Sequence, residues 1–498
     1  MSDTEERKKR RLQLWSVVRD DIESFDAWIQ LLKTVQDEDD IEDINEVYHA
    51  FLTHYPLCFG YWNKWADITL AKCGIQNCEQ VFRMAVKAFP NSIEIWIHYL
   101  TMFSNLNKDN KEVMTTFQCA LNHCGDDYRS DPLWKLYLNW LQTRGLFKEV
   151  ITVFDKMLQT PTYASKSYFY EFDAFLKNHS VYDVLCEQEY YKLCEEFDSI
   201  KQNQKGSNDV VKCLKERDDF IRNQVLNTRR MYHKKAVQES ELRSKFEVNI
   251  KRPYFHVNPL DTLQLNNWGA YLNWAIENLE QTQTIKLFDR CMVVCALYEH
   301  FWLKYITYLR RNHCDSNIIK DVFRRSCLHL RKSLNLHFAW ALFEEKQGNL
   351  QKTEEIIFQL EQRLPDLLQI VLFKINYYQR NGELKKVCDF YENAMLKFKM
   401  NVQIFSHLCI RYSMFTRLVL QNVDEAIALL YKAQNVFPQN INVYLQLIDI
   451  ELSKKTVDVN KVLEVFDLAI NHSVDVYSKS TMISRKFEFL QNIGSEIH

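Results

Sequence analysis

Tryptophan recurs in this chain at an interval of 34 residues, from Trp28 to Trp62 to Trp96 and again from Trp268 to Trp302. Leu336, Ile370 and Ile404 carry the second series on at the same spacing. A fixed period of this length marks a helical-pair solenoid, in which each unit is too small to bury its own apolar face and buries it against its neighbours. Length then counts units rather than separate cores, and 498 residues accommodate about eleven of them. With only 9 glycines and 8 prolines against 31 Phe, 25 Tyr and 11 Trp, the chain reads as all-α.

Each unit follows one grammar. Helix A opens with two aromatic residues three apart: Trp96 with Tyr99, Trp134 with Tyr137, Trp268 with Tyr271, Trp302 with Tyr305. That spacing puts both rings on one helix face, which must be buried. Helix A is expected to close at Gly74, Gly145, Gly348 and Gly382, because a residue without Cβ takes the left-handed conformation that ends a helix. Helix B carries an aromatic followed three residues later by a small or apolar residue, as in Tyr48 with Phe51, Phe82 with Ala85, Phe117 with Ala120, Tyr391 with Ala394 and Phe466 with Ala469. Pro56, Pro90, Pro161, Pro365 and Pro438 mark its exits.

Units are expected to begin near Phe25, Phe59, Ile93, Pro132 and Lys166, and then near Leu265, Glu299, Ser333, Leu367, Val402 and Ile441. The sequence thus divides into a basic segment (1–24), an amino-terminal repeat block (25–200), a linker with a long charged helix (201–262), a carboxy-terminal repeat block (263–474) and an amphipathic helix (475–498).

The period breaks between the blocks. Lys201 to Asn208 is polar, contains Gly206 and reads as a loop. Lys212 to Asn249 reads as one helix whose sparse apolar positions are Leu214, Phe220 or Ile221, Val225, Met231 or Tyr232, and Leu242. From Lys212 to Arg252 twelve Lys and Arg stand against six Asp and Glu, so the segment is cationic within a chain of net charge −2. A strut bracing the two blocks is the preferred reading; an RNA- or partner-facing surface around Arg229, Arg230, Lys234 and Lys235 is the alternative.

Near the amino terminus, Arg7 to Arg11 are five consecutive cations, a pattern that an import receptor reads and that a solvated helix start also produces. The acidic run Asp37 to Asp40, continued by Glu42 and Asp43, reads as a solvated loop favouring the next helix N-terminus. At the other end Ile483, Phe487, Leu490, Ile493 and Ile497 recur at helical spacing and form one apolar stripe. It must cap its own array or enter a neighbouring chain, and docking on a second copy in a two-fold interface is the expectation.

No phosphate-cradling glycine loop, nucleophile elbow or H-E-x-x-H pair is present, and no enzyme is expected. Cys73 with Cys78 and Cys119 with Cys124 lack a second ligand pair at zinc spacing, so neither metal nor cofactor is expected. The 14 cysteines are scattered, and without a signal peptide or an apolar run long enough to cross a bilayer they read as reduced thiols of a cytosolic or nuclear protein. The sequence points to no small-molecule substrate and no membrane partner. Base stacking by the Trp and Tyr residues would need exposed rings, which their core spacing opposes.

Trp-x-x-Tyr in helix A with an aromatic before a small residue in helix B resembles the half-a-tetratricopeptide (HAT) repeat. Two stretches are more specific: Phe51 to Trp65, and Ile250-Lys251-Arg252-Pro253-Tyr254-Phe255-His256-Val257-Asn258-Pro259-Leu260-Asp261, followed by Trp268, Arg290-Cys291 and Phe301-Trp302. Both resemble the pre-mRNA-processing factor 39 family, over roughly residues 20 to 470. That resemblance implies a nuclear splicing scaffold of the U1 small nuclear ribonucleoprotein, the particle that recognises the 5′ splice site. It also implies dimerisation through the carboxy-terminal block, with a copy of itself or a paralogous HAT protein, and contact with other U1 proteins, U1 RNA being reached indirectly. A HAT scaffold of another machine, such as mRNA 3′-end cleavage, is the alternative against which Ile250 to Asp261 argues.

Overall fold

A computed structural model describes residues 3–106, 109–202 and 210–493, and within them the side chains of all but 3–7, 201–202 and 210–213. Most of the expected loop at 201–208, and Ile497 of the carboxy-terminal stripe, lie outside the described residues. Among these residues every regular element is an α-helix.

Helix α1 (Asp3–Asp20) precedes four helical pairs. These are α2 and α3 (Phe25–Glu38, Ile41–His54), α4 and α5 (Phe59–Cys73, Ile75–Ala88), α6 and α7 (Ile93–Ser104, Asn110–Cys124), and α8 and α9 (Asp131–Thr143, Phe147–Met157). The pattern then loosens through α10 (Ser165–Asn178), the short α11 (Val181–Val184), α12 (Glu187–Gln202) and the long α13 (Val210–Glu247). Pairs resume with α14 and α15 (Thr262–Asn278, Gln281–Val294), α16 and α17 (Glu299–Arg311, Ser316–His329), and α18 and α19 (Leu334–Lys346, Leu350–Arg363). The last are α20 and α21 (Leu368–Arg380, Leu384–Lys397), α22 and α23 (Val402–Leu418, Val423–Val436), and α24 and α25 (Ile441–Leu452, Val459–His472), closed by α26 (Val476–Asn492).

Every helix A starts within three residues of its expected position. The compact units are divided elsewhere, Met1–Leu330 and Arg331–His498, so α14 to α17 belong to the first unit although they open the second run of repeats.

The reason for tryptophan at the head of helix A is a hydrogen bond as well as burial. The indole N–H of Trp28, Trp62, Trp96 and Trp302 donates to the carbonyl six residues earlier, on Ile22, Pro56, Pro90 and Ala296, at 3.0, 2.9, 2.7 and 2.9 Å. The ring thereby satisfies a carbonyl of the turn that ends the preceding helix, a group that burial would otherwise leave unpaired. Tyr444 does the same with its hydroxyl, donating to Pro438 O at 2.8 Å.

The aromatic three residues further on plays a different part, stacking on the helix B aromatic of the unit before. Phe82 meets Tyr99 at 5.3 Å between ring centroids, Phe117 meets Tyr137 at 4.5 Å and Phe288 meets Tyr305 at 4.7 Å, all within about 20° of parallel, and in a later unit Tyr391 meets Tyr412, deeper in its helix A, at 4.8 Å. Where the helix A pair has decayed, Phe338 and Phe373 of successive A helices stack at 4.1 Å. Gly74, Gly145, Gly348 and Gly382 end their helices at φ of 79°, 70°, 78° and 76°, the left-handed region that L side chains disfavour. The acidic run is a helix junction rather than a loop: Asp37 and Glu38 end α2, only Asp39 and Asp40 separate the helices, and Asp40 accepts the Glu42 N–H at 2.9 Å with Glu42 and Asp43 in the first turn of α3.

Candidate interaction surfaces

A solenoid offers partners whatever its core does not consume, so the core's share of the side chains comes first. Trp28, Trp62, Trp96, Tyr99, Trp134, Tyr137, Trp268, Tyr271, Trp302 and Tyr305 are all buried, at most 4% exposed, which leaves no ring of this set to stack on a base. Burial pushes the Tyr99 phenol up to about 12, so it stays neutral. The cysteines with described side chains are free thiols, and Cys291 in the last turn of α15 and Cys295 at its C-cap are fully buried.

Helix α13 runs within two residues of its expected span, but its inward stripe differs from the expected one. Ile221, Val225, Arg229, Ala236, Ser240, Arg243 and Glu247 face inward, whereas Leu214, Met231, Tyr232 and Leu242 are exposed. Arg229 is therefore no free cation for a partner: it lies between Asp155 (2.8 Å) and Glu189, whose pull outweighs burial and keeps its pKa above the ordinary arginine value. Arg230 lies over the Phe169 ring at 5.2 Å. Lys234 and Lys235, the other two cations of that basic group, stand exposed.

Polar contacts dock α13 along the amino-terminal repeats. Arg222 donates to His179 O at 3.0 Å, His233 Nε2 to Ser165 O at 2.7 Å and Ser240 to Thr162 O at 2.7 Å. At its far end Phe246 stacks on Tyr271 at 4.8 Å and 8°, the same ring contact that a helix B makes with the next helix A. The strut thus finishes as the missing helix B in front of α14.

Within the same unit, α15 faces the turn between α7 and α8 across a cleft of about 390 Å³. Lys286 pairs with Asp126, and Arg290 with Asp127 (3.2 Å) and Glu247. Burial alone would lower the Arg290 pKa; Asp127 and Glu247 outweigh it and hold the guanidinium charged. Glu247 also accepts the Tyr271 hydroxyl at 3.0 Å, and Arg290 lies 5.7 Å from the Trp268 ring centroid. The two most specific stretches of sequence meet as well: Tyr55 lies 6.5 Å from Phe255, and Phe59 lies 6.4 Å edge-on to Tyr254.

In the second unit, α26 closes the array with Met482, fully buried, and Phe489, which lies 6.0 Å from Phe466. The adjoining face carries Ile483, Phe487 and Leu490 of the expected stripe, and Ile493 follows at the C-cap. Ile483, Phe487 and Ile493 are 49%, 45% and 39% exposed and Leu490 is half-buried, so capping uses one face and leaves the stripe open.

Helical pairs tied by an indole-to-turn bond and a ring stack, in two runs joined by a long charged helix, define an α-solenoid of HAT repeats. The PRP39 N-terminal HAT repeat matches residues 12–174 and the PRP39 C-terminal HAT repeat matches residues 241–381. The chain belongs to the pre-mRNA-processing factor 39 family. It is 30% identical to pre-mRNA-processing factor 39 of Xenopus laevis, over 97% of this chain and 78% of that protein. The human protein of that name is 29% identical, over 98% of this chain and 75% of its own. The U1 small nuclear ribonucleoprotein component PRP42 of Saccharomyces cerevisiae is 24% identical over 55% of this chain and 50% of its own length.

Proposed function

We propose that the protein is a non-enzymatic nuclear scaffold of the U1 small nuclear ribonucleoprotein in 5′ splice site recognition, contacting U1 proteins and dimerising through its carboxy-terminal HAT block. The observation that carries this reading is the family match across both repeat runs, in a chain whose repeat-defining Trp and Tyr side chains are consumed in holding the repeats together. Kinship with a yeast U1 component supports the choice of particle. The open face of α26 supports the dimer, with Ile483, Phe487, Leu490 and Ile493 as its apolar contacts. Direct RNA binding by α13 is disfavoured because Arg229 serves the fold.

The test is to purify the tagged protein from nuclear extract at moderate salt and quantify the small RNAs that accompany it. Selective U1 RNA enrichment is expected; its absence, with 3′-end factors recovered instead, assigns the scaffold to another machine. For the dimer, light scattering of the full chain and of a chain lacking residues 475–498 should give two masses in the ratio of dimer to monomer. A full chain already monomeric at micromolar concentration refutes that part.

A further inference from the structure

The cation run at the start of the chain plays no part in the scaffold reading, and its placement gives it a use of its own. Helix α1 is anchored by its second half: Leu14 and Trp15 pack against the core, Trp15 meets Trp28 edge-on at 5.9 Å, and Val18 is buried. Lys8, Lys9 and Arg10 are exposed. Arg11 is different, with a side chain only 16% exposed and a guanidinium that pairs with Glu38 at 2.8 Å and with Asp43.

Successive residues on a helix are turned by about 100°, so four cations in a row point four ways and no flat or grooved surface meets them together. In an extended chain the same residues rise about 3.3 Å each and alternate between two sides, a form that a narrow acidic groove reads one side chain at a time. Unwinding residues 8–11 keeps the Leu14, Trp15 and Val18 side chains in the core; it gives up the backbone bonds of one helical turn and, among the described side chains, the ion pairs of Arg11.

We propose that Lys8–Arg11 is a nuclear import signal read in extended form by a receptor with an acidic groove, and that Glu38 and Asp43 restrain it by holding Arg11 against the first helical pair. The inference rests on the nuclear role proposed above. The folded array then competes with the receptor for one of the four cations.

The test uses the full chain and a purified armadillo-type import receptor, comparing dissociation constants for the wild type, a Lys8→Ala/Lys9→Ala/Arg10→Ala variant and a Glu38→Gln/Asp43→Asn variant. The triple variant is expected to lose at least about tenfold in affinity. The double variant, with Arg11 released, is expected to gain about tenfold, the worth of one charge-assisted contact. Unchanged binding by the triple variant overturns the signal, and unchanged binding by the double variant overturns the restraint. Wild-type binding to a single-stranded RNA oligonucleotide but not to the receptor reassigns the run to RNA and also overturns the proposal. In cells, the tagged triple variant should shift from nucleus to cytoplasm while the wild type stays nuclear. A wild type that is itself excluded from nuclei refutes the nuclear role rather than the receptor contact, which the binding assay reads independently.

Discussion

Arg290→Met should be among the most damaging single changes in the first unit that leave the apolar core intact. The Arg290 and Glu247 side chains are 11% and 4% exposed, Asp127 is 11% exposed, and the guanidinium is the cation shared by both carboxylates. Methionine keeps much of the apolar stem, so little cavity opens, but Glu247 is left with the Tyr271 hydroxyl and Asp127 loses its partner across the cleft. Removing one member of a buried ion pair costs roughly 3–5 kcal/mol, because the other charge stays buried without compensation. The loss is read where it arises by native-state hydrogen exchange at the amides of α13 to α15. Protection there should fall by roughly 10²-fold to over 10³-fold. Adding Glu247→Gln removes the stranded charge and retains an acceptor for Tyr271, so the double variant should recover at least half of the loss. A fall of less than about fivefold in the single variant, or no recovery in the double, would refute the claim that this buried triad holds α13, α15 and the α7–α8 turn together.

Other outcomes follow from single features. Gly348→Ala and Gly382→Ala should each cost about 1–2 kcal/mol in the urea unfolding of the second unit, since nothing lies within 4 Å of the added Cβ and only the left-handed backbone, at φ of 78° and 76°, opposes it. Arg229→Ala should destabilise the first unit by about 2 kcal/mol, whereas Lys234→Glu with Lys235→Glu should leave its thermal midpoint within about a degree; equal effects would show that α13 is not held by Arg229. His337 is 3% exposed, and burial, aided by the Arg363 charge and opposed by the Ser333 carbonyl, holds its pKa below the ordinary histidine value. Its pKa is then lower folded than unfolded, so its contribution is present above the unfolded value near 6.5 and is lost as pH falls through the folded one. The melting temperature of the second unit should accordingly drop between pH 7.5 and pH 5, and drop less in His337→Asn.

The repeat was legible because the residues that make it, Trp and Tyr at helix A and an aromatic on helix B, are rare enough to show their period. The extent of α13 was legible too, since a charged run without Gly or Pro has little else to become. Its inward stripe was not: beyond Val225 the buried positions are mainly Arg229, Ser240, Arg243 and Glu247, which hydropathy assigns to water, while the apolar Leu214, Met231, Tyr232 and Leu242 face out. The stripe on α26 could be read from spacing, but the capping face could not, because Met482 and Phe489 are only two residues and sit seven apart. The indole bond to the turn was hidden for another reason. Spacing shows that a ring is buried, and only the path of the turn shows that its N–H finds a carbonyl six residues back.

That α13 ends in the Phe246–Tyr271 stack gives its length a phase. A flexible tether can gain or lose a residue and merely change its reach. One residue added to α13 between Arg229 and Phe246 would turn Phe246 by about 100° relative to the ion pairs upstream, and one of the two anchorages would have to let go. Seven residues, close to two full turns, would return it to within about 20° of where it began. The rise fixes the length as well, since those seven residues would also carry α14 and α15 about 10 Å along the helix axis, away from Asp126 and Asp127.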